Sequence, residues 1–548
     1  RDVLGSRGLG DVYKRQNDFW RIDMNRVHIL DCTLRDGGYC NLWDFGFENT
    51  KDIISGLIKS NVEIIECGFL TDKVKYNKNV TKFTDLKELS SVIPDKRDGK
   101  LFVAMVNYGE YDINLLPNYD GSSIDGIRVA FHKKDMSEAL DLCEKIKSKG
   151  YKVFIQAMVS LSYTDEEFLR LINYANKIGP YAFYIVDSFG MMKKKSLTRL
   201  FYMVEHNLNE NIWIGFHSHN NMQLAFSNAQ ELVNIQTNRN LIIDSSVYGM
   251  GRGAGNLNTE LFVEYLNDNC GTEYNIKPLL KIIDDIINGF YQKNYWGYSL
   301  PNYISASHNA HPNYASYLDD KKTLTVENIN EIFDMMDSEK SVEFDKEYIE
   351  ELYMRYMNRE VIQEARLSEF KDKIKGKRII LIAPGRSSVE ETDKILRCID
   401  NNTIVISINH NYNQIKTDYI FISNLRRFSS IDKDLKQKLI ITSNISADQI
   451  YLQVKYHDLL NDTDMVKDNA GLMCVKLLMD SDVKEILLAG FDGYSHETEE
   501  NYAVKDMAYI SKNAVLDALN RGISDVLKKF NENVKIRLIT SEKYIHIQ

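Results

Sequence analysis

Ile212-Trp213-Ile214-Gly215-Phe216-His217-Ser218-His219-Asn220-Asn221 is the stretch on which the reading of this chain turns. Its apolar first half reads as a buried strand and its polar second half as the C-terminal end of that strand. Residues two apart on a strand point to the same side, so His217 and His219 share one face. Two imidazoles side by side are ready ligands for a divalent metal. An isolated H-x-H is equally two polar residues at the mouth of a strand; what favours the metal lies upstream. There another apolar run, Val27 to Leu34, leads into Arg35-Asp36-Gly37-Gly38. A carboxylate and a guanidinium directly after a buried strand are costly unless they are paired or ligating. Asp36 can supply an oxygen ligand to the same ion, with Arg35 as a fixed positive charge beside it.

Outward from these two strands, short apolar runs alternate with amphipathic stretches. The runs are His28–Leu34, Glu63–Phe69, Leu101–Val106, Gly126–Phe131, Val153–Val159, Ala182–Asp187, Ile212–His219 and Leu241–Tyr248. Segments such as Ser137–Ser148, Asp165–Lys177 and Leu224–Asn234 carry helical spacing between them. Strands alternating with helices predict a parallel sheet, and eight such units predict a closed (β/α)8 TIM barrel. A doubly wound open sheet is the alternative. In a barrel the active site lies at the C-terminal strand ends, and the run boundaries put every candidate group there. Arg35 and Asp36 follow the first run, Glu66 lies in the second, the two histidines end the seventh, and Asn256 follows the eighth. Gly249-Met-Gly-Arg252-Gly-Ala-Gly-Asn256 is flexible enough for close backbone approach. Asp187-Ser-Phe-Gly190 ends the sixth run and reads equally as an Asx-type turn.

Asp31-Cys-Thr-Leu-Arg-Asp-Gly-Gly38, Ile65-Glu66-Cys67-Gly68, His217-Ser-His219 and Gly253-Ala-Gly-Asn256 together resemble the motifs of the DRE-TIM metallolyase superfamily. It includes 4-hydroxy-2-oxovalerate aldolase, hydroxymethylglutaryl-CoA lyase, and the isopropylmalate and homocitrate synthases. The resemblance covers roughly residues 26 to 300. It implies a metal (Mn2+, Mg2+, Co2+ or Zn2+) on Asp36, His217 and His219, with Asn256 as a weak fourth ligand. It also implies a pyruvate-type enolate stabilised by Arg35, with Glu66 orienting Arg35, and a 4-hydroxy-2-oxo acid as substrate, made from or cleaved to a 2-oxo acid and an aldehyde. Where those aldolases carry a histidine three residues after the Asp ligand, this chain has Tyr39, which leaves the general base open. A post-barrel region that covers the mouth and contributes a tyrosine makes Tyr298, His308 and His311 candidates on resemblance alone. The competing enzyme reading is an acyl-CoA lyase or synthase, but the Gly-rich loop carries Arg252 where the hydroxymethylglutaryl-CoA lyases have a cysteine. A degenerate scaffold acting as a binding or assembly module is the remaining class.

At 548 residues the chain exceeds one ordinary core. Its 44% hydrophobic and 27% charged content is that of a globular protein. A formal charge of −10 without a basic block argues against nucleic acid. No apolar run reaches the ~20 residues of a membrane span, and seven scattered cysteines point to a reducing cytoplasm. A homo-oligomer is compatible with all of this. Residues 1–23 read as an artefactual or disordered leader, with Met24 as the expected start. The barrel is expected over 24–275, a helical lid and linker over 276–375, including an amphipathic helix Leu279–Phe290, and a Rossmann-like α/β domain over 376–548. In that last domain Pro384-Gly385-Arg386-Ser387-Ser388 leads into an expected helix Val389–Cys398. Such a turn can hold a phosphate of a nucleotide or nucleotide-sugar on backbone N–H groups, although it lacks a G-x-G-x-x-G pattern. The domain loosely resembles sialyltransferase-like transferases.

Overall fold

The computed structural model describes residues 26–547, apart from 359–360, 362, 413, 498–499 and 504–512. The expected leader 1–23 and Met24 lie outside the described residues. The chain divides into two compact units, one reaching Ser316 and including Asp337–Phe344, the other comprising Tyr317–Met336 and Asp345–Gln548.

In the first unit, Val27–Asp31 (β1), Ile64–Leu70 (β2), Leu101–Asn107 (β3), Gly126–Phe131 (β4), Lys152–Ala157 (β5), Ala182–Asp187 (β6), Trp213–Ser218 (β7) and Leu241–Ser245 (β8) form a parallel sheet. Each strand pairs with the next in chain order, and β1 pairs with both β2 and β8, closing the barrel. Every apolar run read from the sequence falls on one of these strands. Leu30, Ile64, Val103, Phe154, Tyr184 and Ile242 pack together inside. Residues one step out of phase, such as Ile29, Ile65, Phe102, Ile127 and Ile243, pack with the surrounding helices. Both faces are therefore buried, which is why the strands read as apolar runs without clean alternation.

The helices follow from the same logic. Asp165–Ile178 (α1) starts at a capping box formed by Thr164 and Glu167 and stops at Gly179 in the left-handed conformation. It buries Phe168, Leu171, Ile172, Ala175 and Ile178, spaced as one helical face. After β8, the helix expected over Leu279–Phe290 is continuous through Ile276–Ile282, a π-helical turn Ile283–Ile287 and Asn288–Tyr291.

The second unit has a seven-stranded, wholly parallel sheet of Arg378–Ile382 (β9), Thr403–Ile408 (β10), Tyr419–Ile422 (β11), Leu439–Thr442 (β12), Leu452–Val454 (β13), Glu485–Ala489 (β14) and Ile536–Leu538 (β15). The order is β13-β12-β11-β10-β9-β14-β15. The chain winds outward from β9 and then returns to β14 on its other side, the reversal typical of Rossmann-like sheets. The expected lid and linker 276–375 is divided between the units. Lys346–Met357 looks like an exposed charged helix by composition, yet it buries Ile349, Leu352, Tyr353, Tyr356 and Met357. Its Tyr353 hydroxyl donates to Asp468 Oδ2 at 2.8 Å, within the second unit. Among the described residues no helix is long and apolar enough to cross a membrane.

Candidate metal centre

Asp36, His217 and His219 converge at the C-terminal end of the barrel. Each offers one ligand atom, these atoms lie within 4.8 Å of one another, and all three side chains are buried. His219 Nδ1 stands 3.8 Å from Asp36 Oδ2 and has no hydrogen-bond partner. Asn256 is held beside them by a bridge pairing with His219. Its Nδ2 donates to Asp36 Oδ2 at 2.7 Å and to Met250 O at 3.2 Å, while its Oδ1 is buried without a partner. Buried polar atoms are seldom left unpaired, and a cation at this point satisfies both orphans. Burial pushes the His219 imidazole down to about 3, partly offset by Asp36, so it is neutral and free to ligate at pH 7. Burial alone would raise Asp36, but Arg35 and the two imidazoles hold it below the ordinary carboxylate range. Neutral nitrogen and carboxylate oxygen donors without thiolate suit a divalent ion of the expected group.

Beneath the ligands runs an unbroken line of alternating charges. Asp36 Oδ1 accepts from Arg35 Nη1 at 2.5 Å, and Arg35 Nε donates to Glu66 Oε2 at 2.9 Å. The same Glu66 oxygen accepts from Arg128 Nη1 at 2.7 Å, and Arg128 Nη2 pairs with Asp244 Oδ2. Asp244 Oδ2 then meets His217 Nδ1 at 2.9 Å. Burial would raise Asp244, but Arg128 and His217 hold it low. An ionised Asp244 makes His217 Nδ1 the donor, which leaves Nε2 with its lone pair for a metal. One carboxylate ligand and one imidazole ligand are thus joined through the barrel interior. Glu66 thus pairs with both Arg35 and Arg128. Arg128 and Asp244 were not singled out from the sequence. Their signal was there: two opposite charges within otherwise apolar runs must find partners.

The loop from Gly249 to Asn256 closes over this layer. A Cβ on Gly251 would stand 2.7 Å from Asp36 Oδ2 and 2.3 Å from Asn256 Nδ2, so only glycine lets the backbone pass. The carbonyl of Gly255, at φ +84°, accepts from Asn220 N, and Asn256 N donates back to Gly249 O. Asn221 Oδ1 accepts from Ala254 N at 2.7 Å. Arg252, partly buried, projects from this loop with its guanidinium carbon 5.4 Å from the centre of the Tyr39 ring. Its Nη1 lies 3.3 Å from His311 Nε2 and its Nη2 donates to Ser188 O at 3.3 Å. Asp187 caps the turn after β6 by accepting from Met191 N and Met192 N, the Asx-type role.

Of the two histidines beyond the barrel, His311 meets Arg252 of the Gly-rich loop. His308 ends the helix Leu300–Ser307, with its Nδ1 2.9 Å from Ile304 O of that same helix. His311 packs against Phe189 of the β6 turn, and burial, followed by Arg252, pushes it down to about 3. Tyr39 is 41% exposed at the rim. Tyr298, 56% exposed, lines a cleft with Tyr248, Tyr291 and Trp296 that none of the three ligands borders.

In the second unit, the anion site expected at Gly385, Arg386, Ser387 and Ser388 is already filled by the protein. Asp492, just after β14, accepts from Ser387 N at 2.8 Å and from the Ser387 hydroxyl. Ser388 Oγ donates to Gly385 O, Gly385 N to Gly490 O, and Arg386 pairs with Glu390. The expected helix also breaks at Glu391 into Ser387–Glu390 and Thr392–Arg397, too short a first piece to offer a run of free N–H groups. The return of the chain to β14 beside β9 brings a carboxylate to the place assigned to phosphate.

The profile of the HMGL-like family matches residues 26–286. A 4-hydroxy-2-oxovalerate aldolase of Pseudoalteromonas translucida is 27% identical over 262 residues, 47% of this chain and 74% of the relative. An oxaloacetate decarboxylase of Mycobacterium tuberculosis is 25% identical over 242 residues, 43% of this chain and 69% of the relative. Among solved structures, the N-terminal domain of a candidate aldolase from Bacteroides vulgatus is 28% identical, covering 55% of this chain and 98% of that one, with a TM-score of 0.46.

Proposed function

We propose that the first unit, whose residues 26–286 match the HMGL-like family profile, is a metal-dependent lyase that cleaves a 4-hydroxy-2-oxo acid through a pyruvate-type enolate, or catalyses the reverse condensation. The observation that carries this reading is Arg35. Its Nε and Nη1 are taken by Glu66 and Asp36, and its Nη2 is buried with no partner beside the ligand trio. A pinned guanidinium with one free donor suits an oxygen that gains charge during reaction.

Asp36, His217 and His219, with Asn256 as a further oxygen donor, would hold a divalent ion, which would supply Lewis acidity toward the carbonyl of a 2-oxo acid. Arg35 Nη2 donates to the carbonyl oxygen as the C3–C4 bond breaks and its electron pair passes to C3. Glu66 and Arg128 keep Arg35 from turning away, so the donor is oriented before charge develops. The proton of the C4 hydroxyl falls to Tyr39, whose ring lies against the Arg252 guanidinium. Loss of the C4 carboxylate of oxaloacetate as CO2, with the C3–C4 electron pair left on C3, would draw on the same enolate, in keeping with the decarboxylase relative.

The test is metal content together with pyruvate methyl hydrogen–deuterium exchange by NMR. The purified protein is expected to hold about one divalent ion per chain and to exchange pyruvate protons until chelated. His217→Ala with His219→Ala should lose both. Stoichiometric metal in that double variant, or exchange that survives chelation, refutes the assignment.

A further inference from the structure

Arg252 stands apart from the other arginines of the barrel unit. Arg35, Arg128 and Arg239 each meet a carboxylate within 2.9 Å, and Arg26 donates to the carbonyls of Val233 and Ile235. Among the described residues Arg252 meets no carboxylate at all. Its Nη2 has a carbonyl at 3.3 Å, its Nη1 faces an imidazole nitrogen at 3.3 Å, and its Nε is buried with no partner. The His311 contact is itself a compromise. His311 Nδ1 already accepts from Asn313 N at 3.2 Å, and a neutral imidazole accepts at only one nitrogen. Arg252 is therefore a partly buried guanidinium with donors to spare and no counter-charge. Holding a cation so is costly by itself and favourable once an anion arrives.

Its position says which anion. Gly251, its chain neighbour, packs against Asp36 Oδ2, so Arg252 springs from the wall of the ligand trio. The guanidinium, however, lies outward, over Tyr39 and beside His311 and the β6 turn. A 2-oxo acid held at the trio would keep its own carboxylate there, which would leave the group on C4 toward the outside. We propose that Arg252 is a specificity-determining residue that binds a second negative charge on the substrate, so that the aldehyde partner of this enzyme is anionic. This rests on the aldolase reading above and narrows its substrate class. In cleavage of 4-hydroxy-2-oxoglutarate, the C4 hydroxyl gives up its proton and becomes the aldehyde of glyoxylate. The C3–C4 electron pair goes to C3, which takes a proton to complete the methyl of pyruvate. Arg252 holds the glyoxylate carboxylate throughout.

The experiment compares substrates that differ only in that charge: 4-hydroxy-2-oxoglutarate with 4-hydroxy-2-oxovalerate in cleavage. In condensation with pyruvate, glyoxylate is compared with acetaldehyde and glycolaldehyde phosphate with glycolaldehyde. The wild type is expected to favour the charged member of at least one pair, the pair identifying carboxylate or phosphate. Arg252→Gln should reduce that ratio of kcat/KM about 10- to 100-fold, the loss expected for a charge-assisted hydrogen bond, and Arg252→Lys should restore part of it. A merely structural Arg252 would lower both members of a pair together, leaving the ratio unchanged, and that result overturns the proposal. So does Arg252→Gln raising the KM for pyruvate with the ratio intact, which would make it the anchor of the 2-oxo acid itself. Pyruvate exchange by the wild type separates the two levels. Exchange without charge preference removes only the role of Arg252; absence of exchange removes the aldolase reading beneath it.

Discussion

Replacing Asp244 by asparagine cuts the interior line of charges at its last link. Asp244 Oδ2 now accepts from both His217 Nδ1 and Arg128 Nη2. The carboxamide can keep an oxygen in the place of Oδ2, but that oxygen is neutral and accepts more weakly than a carboxylate. With the charge gone, the Nδ1 hydrogen of His217 is held less firmly and Nε2 is a poorer, less well-oriented ligand. Removing such a partner of a histidine ligand costs 10- to 100-fold in metal affinity, about 1.4–2.7 kcal/mol. Arg128 keeps Glu66, shared with Arg35, so stability should fall by less than the ~3–5 kcal/mol of a fully broken buried pair. Titration of metal-free protein with Co2+, followed by absorbance, gives the affinity, and denaturant unfolding gives the stability. Glu205→Gln is the control, since it disturbs the Arg239 pair on the outside of the barrel without reaching the ligands. It should lower stability and leave cobalt affinity unchanged. Wild-type cobalt affinity in folded Asp244→Asn would show that His217 needs no carboxylate to orient it, and the reasoning would fail.

Arg35→Lys should bind metal normally yet lose about 10²–10³ in turnover, because a point charge replaces a donor fork; near-native rates would reduce Arg35 to a structural partner of Glu66. Gly251→Ala brings a methyl to 2.7 Å from Asp36 Oδ2, so metal should be lost with the barrel still folded, as checked by metal analysis beside circular dichroism. Burial and Arg252 push His311 to about 3, below its ordinary 6.5, so between these values the unfolded chain takes up a proton that the folded one refuses. Stability should therefore fall as pH drops from 6.5 toward 3. His311→Gln should flatten that slope by at most ~1.4 kcal/mol per pH unit, and an unchanged slope would place His311 in water.

Much of the barrel could be read directly, because strands buried on both faces cannot disguise themselves. The runs from His28 to Tyr248 differ from the observed strands mainly at their ends, where β1, β5 and β8 stop before the polar loop begins. Asp36, His217 and His219 were legible for the same reason: polar groups at the close of an apolar run have few roles open to them. Arg128 and Asp244 escaped because each is a single charge inside such a run, and the partner that rationalises it lies on a distant strand. His308 and His311 differ by only three positions. One ends a helix and turns back on it, while the other begins the next and faces Phe189, a distinction that depends on where the turn falls. Tyr298 lies in a cleft that none of the three ligands borders, a placement that no local pattern gives. Pro384–Ser388 failed on topology, since no local pattern reveals that Asp492 will arrive from a strand a hundred residues later.

The line from Asp36 through Arg35, Glu66, Arg128 and Asp244 to His217 also governs how this barrel can change. No member can reverse its charge alone without stranding a neighbour in a dry interior, so single substitutions along it are dead ends and only coordinated exchanges are open. The outer loops, including the one bearing Arg252, carry no such obligation. Lineages descended from this site should therefore diversify at the rim while inheriting the interior line intact. Anyone grafting the metal site into another barrel must transplant these six residues together with His219 as one cassette.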